Sequence, residues 1–174
     1  LAQAKREGKT IHLAEVMPIA SIKHWESMDR RKCKGRLVFR GTQVTDTWGA
    51  AAQFGALYSA PTKIQAINLA VFYGLLKGNK LTAADCTRAF LQAMLMVDEE
   101  TYVVLPRELW LDSWHGKFKQ PTVRLQKALY GHPLASACWE MHLRQVLVGD
   151  LGLTPVDGHP SVFRCAKTEL LDRK

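Results

Sequence analysis

The stretch from Pro61 to Leu76, PTKIQAINLAVFYGLL, constrains the fold more than any other part of the chain. Ile64, Ile67, Val71 and Leu75 recur at the spacing of one helical face. Ser59 or Ala60 precedes a proline suited to a first turn, and Gly78 with Asn79 supplies a stop. Upstream, RLVFR at Arg36 to Arg40 switches to a period of two, basic against apolar, with β-branched and aromatic content. It predicts a strand with one wet face, ended by Gly41.

The two periods alternate along the rest of the chain. Gly41 to Gly55 reads as loop, Leu81 to Asp85 as a short strand, and Arg88 to Met96 as a helix. Thr101 to Pro106, TYVVLP, reads as a strand closed by proline, and Thr122 to Leu125 as a weaker strand. After a turn at Gly131, His132 and Pro133, the run SACWEMHLRQVLV sets Trp139, His142 or Leu143, and Val146 on one side of a helix. Interleaved helices and strands predict an α/β or α+β sheet packed by helices on one side. Residues 1 to 30 show no clean period, and nothing repeats at solenoid spacing.

At 174 residues and 47% hydrophobic content the chain is long and apolar enough for one domain with a core. No apolar run approaches the roughly 20 residues of a membrane span, so no membrane partner is expected. The start LAQAKREGKT has neither an initiator Met nor the apolar stretch of a signal peptide, as expected of an internal fragment. Cys33, Cys86, Cys138 and Cys165 lie far apart with no CxxC pair, which signals neither a disulfide framework nor a zinc knuckle. The net charge of +8 is concentrated: residues 1 to 41 hold ten Lys or Arg against four Asp or Glu. Such clustering attracts phosphates with a steep salt dependence, and it equally serves a solvated, solubilising tail.

Asp85 interrupts the apolar lead of LTAADCTRAFL. A carboxylate at the end of a buried strand costs several kcal/mol unless something compensates it. Local pattern favours a cap for the helix that follows; the alternative is a ligand for a divalent cation.

Four blocks widen that choice: CKGRLVFRG at Cys33 to Gly41, AADCTRAFL at Ala83 to Leu91, YVVLP at Tyr102 to Pro106, and LQKALYGHPLASACWE at Leu125 to Glu140. Their order and spacing resemble the reverse transcriptase of copia-type long-terminal-repeat retrotransposons over about residues 33 to 163. The resemblance implies an α+β fold, the fingers and partial palm of a right-handed polymerase. Residues 1 to 30 would be an N-terminal extension or the start of the fingers, and 31 to 174 an incomplete fingers and palm fragment. It implies RNA-directed DNA synthesis with magnesium as cofactor, on an RNA template and DNA primer with deoxynucleoside triphosphates. RNase H and integrase segments of a polyprotein would be neighbours, in cytoplasmic particles and the nucleus.

Residue by residue, Asp85 matches the family's first metal-binding and catalytic aspartate. Phe90 matches the aromatic under the incoming sugar, where a ring would exclude a 2′-hydroxyl; taken alone it reads as a core aromatic. Lys34, Arg36 and Arg40 match the basic finger strand that meets triphosphate or template, and Tyr130 with Gly131 the Tyr-Gly of the downstream block. Trp139 is most simply a core anchor.

The pattern also breaks. Leu134 and Ala137 stand where the family carries an amide and an arginine, and His132, the one polar substitute nearby, reads as a surface residue. The sequence has no Asp-Asp, and Asp172 lacks flanking apolar strands; VDEE at Val97 to Glu100 reads as a solvated turn. Two-metal chemistry then lacks its set of acids, so the chain is predicted not to polymerise. A palm without its central hairpin would leave apolar helix faces open and promote association. The alternative function is a non-enzymatic nucleic-acid-binding remnant that uses Arg30 to Arg40, with Trp25 and Phe39 as stacking aromatics. A minor third reading makes His132, Cys138 and His142 a structural metal site.

Overall fold

The computed structural model describes residues 1–55, 59 and 61–165; Ala60, Ala166 and Asp172 of the sequence reading lie outside these. Along the chain come helix α1 (Ala2–Arg6), strands β1 (Ile11–Lys23) and β2 (Lys32–Phe39), and helices α2 (Ile64–Leu75) and α3 (Ala89–Gln92). Strands β3 (Glu100–Val104) and β4 (Thr122–Arg124) follow, then helix α4 (Ala135–Arg144), extended by a π-helical turn to Asp150. A hairpin of β5 (Thr154–Val156) and β6 (His159–Arg164) closes the described part. The main sheet has the order β2-β1-β3-β4, with β1 parallel to β3 and the other pairs antiparallel. This is a mixture of helices with a small mixed sheet, as the interleaved periods predict.

β1, in a region where the sequence shows no period, has two unlike halves. Ile11 to Glu15 pair with β3 inside the molecule, whereas Val16 to Lys23 pair only with β2 and run out as a two-stranded ribbon. In the inner half Ile11, His12 and Ala14 are all buried, so both faces are covered and apolar-polar alternation is lost. Pro18, which lacks an N–H, falls in the ribbon half, where a missing ladder donor is tolerated. The free side of the inner half is closed by the loop after β2. Leu13 and Thr45 exchange backbone hydrogen bonds of 2.8 and 2.9 Å, and the Thr47 hydroxyl accepts from the Ile11 N–H at 2.7 Å while donating to the Lys9 carbonyl.

Among the described residues two apolar clusters form the core. One joins Ala14, Val16, Phe39, Val44, Val103 and Leu129 across the sheet; the other gathers Ala93, Ala128, Leu134, Ala135 and Cys138 around α3 and α4. Phe54 packs against both.

Other elements depart from expectation. Leu81 to Asp85 is coil, and residues 75–88 are exposed throughout. Leu81 is the one large apolar side chain in LTAAD, too little to hold a strand against the core. The helix predicted from Arg88 to Met96 shrinks to Ala89–Gln92, because Arg88 takes a left-handed φ of 55° and the chain turns extended at Ala93. Among the described residues no helix is long and apolar enough to cross a membrane.

Candidate nucleic-acid interface

Opposed residues of an antiparallel pair share a face. The β1–β2 register therefore puts Met17, Ile19, Ser21 and Lys23 on one side of the ribbon together with Lys32, Lys34, Arg36 and Val38. Arg40, just beyond β2, continues this side and donates to the Glu15 carboxylate at 2.7 Å. The other side carries Leu37 and the buried Phe39 toward the core. Arg36 is exposed and Lys34 half-buried. Arg36 first and Lys23 second hold the Lys34 ammonium below the usual lysine range, while Asp85 pulls the other way. A cluster in which cations destabilise one another offers binding energy to an anion. Arg40, already matched to Glu15, offers less.

The ribbon's tip adds an aromatic. Trp25 is 62% exposed, the Arg31 guanidinium lies 4.5 Å from its ring centroid, and Arg31 Nε donates to the Trp25 carbonyl at 2.8 Å. Phe39 is 1% exposed and cannot stack on a base, which corrects its predicted role.

Distant blocks converge at the root of the ribbon. The Phe39 N–H donates to the Tyr130 carbonyl at 2.7 Å, and the Tyr130 ring lies 4.9 Å from that of Phe90. Gly131 has φ 87°, and a Cβ there would collide with the Phe39 carbonyl and the Val38 side chain; a Cβ on Gly41 would strike the Gly131 carbonyl. Two bare backbones meet here, which requires glycine on both sides. Beside them an open depression of about 590 Å³ is lined by Met17, Arg40, Gln43, Gly131 and Pro133. Phe90 is half-buried and also packs on the second core cluster.

Asp85 is exposed, on coil, and within electrostatic reach of Lys34. It does not cap α3, whose N-cap is Arg88 with no side-chain cap bond, so the capping role that local pattern favours is not the one observed. Among the described residues no three His, Cys, Asp or Glu side chains come together as metal ligands. A single exposed carboxylate beside an ammonium does not make a magnesium cage, and the trio His132, Cys138 and His142 is likewise not assembled as a site.

His132, expected at the surface, is 4% exposed. Its Nδ1 accepts from the Leu134 N–H at 3.1 Å, its ring lies 4.7 Å from Phe39 and 5.4 Å from Phe54, and its Nε2 has no protein partner among the described residues. Burial, reinforced by nearby His12, pushes its pKa down to about 4, so the ring is neutral. Leu134 and Ala137, the departures from the family pattern, are buried, and Trp139 packs on the second cluster.

Sequence reading missed a second polar centre. Glu100, expected in a solvated turn, begins β3 and takes Lys9 at 3.2 Å, Arg124 at 2.9 Å and the Tyr102 hydroxyl at 3.0 Å. The hydrogen bond from Lys9, then that from Tyr102, holds its carboxyl below the usual range; the same contact raises the Tyr102 phenol. Tyr102 lies two residues along the same strand, but Lys9 and Arg124 come from separate segments, so no local spacing announces the two cations.

Compared with known proteins, the chain matches no family model, no curated protein and no solved structure.

Proposed function

We propose that the chain is a fingers and partial palm fragment of a copia-like reverse transcriptase that holds nucleic acid without polymerising it. The reading is supported above all by the convergence of its motif blocks. Arg40 at the end of the ribbon, Phe90 on α3, and Tyr130 with Gly131 in the turn before α4 lie around one root, while Arg36 and Lys34 stand farther out on the same side of the ribbon, with Asp85 in reach of Lys34. In this reading the ribbon cations neutralise phosphates of template, primer or nucleotide, and Phe90 and Tyr130 form an apolar floor beside them. Arginine presents paired planar donors to phosphate, and lysine a point charge. Magnesium would supply charge neutralisation in the full-length family, but the donor set here does not fit it, and no chemical step is assigned to this chain. Asp85 remains the position to which a cation ligand would belong. Cytoplasmic particles and the nucleus, and RNase H and integrase neighbours, follow as part of the same proposal.

A second reading, a non-enzymatic binding remnant, is favoured by the exposed Trp25 with its stacked Arg31 at the ribbon tip. Both readings use the ribbon, and they part at its tip: Trp25→Ala weakens binding under the second reading and leaves it unchanged under the first. The deciding experiment follows primer extension and binding of labelled single-stranded RNA by the purified chain. We expect binding that weakens steeply with salt and no extension with magnesium. Absence of binding at low salt removes both readings. Extension that Asp85→Ala abolishes establishes a polymerase and refutes the inactive fragment.

A further inference from the structure

Buried polar side chains away from the ribbon gather around one ring. His12 on β1 is 4% exposed, and its Nδ1 has no hydrogen-bond partner among the described residues. Thr101 Oγ1, on the β3 position paired with His12, and His132 Nε2 are likewise buried without one. Phe54 packs on both imidazoles, its ring 4.7 Å from His12 and 5.4 Å from His132. Buried polar atoms are nearly always satisfied, so three unpaired ones in one region call for an explanation. His12 also lines an open-mouthed cavity of about 310 Å³, with Phe54, Leu134, Met96 and Met141 as its apolar walls. Asp98, exposed, and Glu99, half-buried, line it too, and neither has an ion-pair partner among the described residues. No lysine or arginine is in the lining. Its other polar side chains are the exposed Gln53 and Cys138, whose Sγ accepts from the Met96 N–H at 3.5 Å.

We infer that this cavity binds a small aromatic cation whose ring carries a hydrogen-bonding group at the end opposite its ammonium, a phenolic amine by chemical class. Its volume is at the lower end of small-molecule sites, which suits a single ring with a short side chain. An aromatic ring gains from the Phe54 ring and from methionine sulfur, and unbranched methionine walls adapt to its outline. Two unpaired carboxylates with no cation beside them attract a positive charge and turn an anion away. At the buried end a hydroxyl both donates and accepts, so it pairs with the His12 imidazole in either tautomer and relieves the cost of an unpaired polar group. A metal ion suits the site less, because no three His, Cys, Asp or Glu side chains come together as ligands among the described residues. None of the lining residues lies on the cationic side of the ribbon, so the site is independent of the nucleic-acid reading.

Tyramine is the probe, titrated into the full chain and followed by amide NMR spectra. The expected result is saturable shifts at His12, Phe54, Met96 and Met141. Phenethylamine, which lacks the hydroxyl, should bind about fivefold more weakly, and para-hydroxyphenylacetate, which carries an anion in place of the ammonium, at least about tenfold more weakly. This series tests the contact with His12 without altering a buried side chain. Asp98→Asn combined with Glu99→Gln should weaken tyramine about fivefold and leave the uncharged para-cresol unchanged. Met141→Trp, at a wall position that is 47% exposed, should abolish binding by occupying the cavity while circular dichroism stays that of the wild type. Absence of saturable shifts up to about 10 mM, a weak limit for a ligand of this size, overturns the inference. So does equal affinity for para-hydroxyphenylacetate, or phenethylamine that binds as tightly as tyramine, or tyramine binding indifferent to both Met141→Trp and the loss of the two carboxylates.

Discussion

Gly131 and His132 are neighbours whose chemistry is decided by what lies across from them. At Gly131 both the positive φ and the approach of the Phe39 carbonyl forbid a side chain. Gly131→Ala should cost about 2–4 kcal/mol, read as a lower urea midpoint. Gly8 has φ 63° but nothing within 4 Å of a Cβ, so Gly8→Ala should cost only about 1 kcal/mol. The buried imidazole next door makes stability depend on pH. The folded-state pKa of about 4 lies below the ordinary 6.5, so the unfolded chain binds the extra proton. The contribution of neutral burial is complete above pH 6.5 and is lost as pH falls toward about 4, on the order of 3 kcal/mol in all. Urea midpoints between pH 7 and 4.5 should therefore decline, and more steeply in the wild type than in His132→Gln. An unchanged slope in that variant would refute the assignment. Sequence could flag Gly131 as a turn residue. It could not place His132 inside, because burial there depends on Phe39 and Phe54 from elsewhere in the chain.

At the level of elements, the ribbon follows from two strands of different legibility. β2 alternates, so its basic side was readable, and the structure extends it back to Lys32. β1 hides because its inner half is buried on both faces, and only its pairing reveals that Lys23 joins the cationic side. Pairing also separates residues that look alike in sequence. Arg40 is engaged by Glu15, whereas Arg36 lies among cations. If the ribbon binds RNA, Arg36→Ala should weaken binding more than Arg40→Ala and lower the log–log salt slope by about one unit. Fluorescence anisotropy at several salt concentrations measures both, and equal losses would count against this ranking. α2 is the opposite case: its helix was legible, but its exposure was not, since an apolar face usually reports burial.

On the scale of the whole molecule, two modest core clusters meet at Phe54, which also packs its ring on His12 at 4.7 Å. A residue shared by two clusters couples them into one unfolding unit. Phe54→Ala should lower stability by about 2–3 kcal/mol, less than for a fully buried Phe because the ring is half-buried. Fluorescence and far-ultraviolet dichroism should lose their coincidence in denaturant as the α3–α4 cluster separates from the sheet. A variant that unfolds as sharply as wild type on both probes would show the clusters to be independent of this ring.

The sequence by itself determined the local periods: the strand around RLVFR, the helix after Pro61, the strand ending at Pro106, the helix through Trp139, and the concentration of positive charge near the start. Those are properties of neighbours within a few residues, set by side-chain spacing and turn chemistry. Tertiary structure alone decided that Asp85 stands on open coil near Lys34, that His132 is buried, that Arg40 is matched by Glu15, and that Glu100 draws in Lys9 and Arg124. Each of those depends on which distant segments pair, and pairing is fixed by burial and register across the whole chain, which no local window contains.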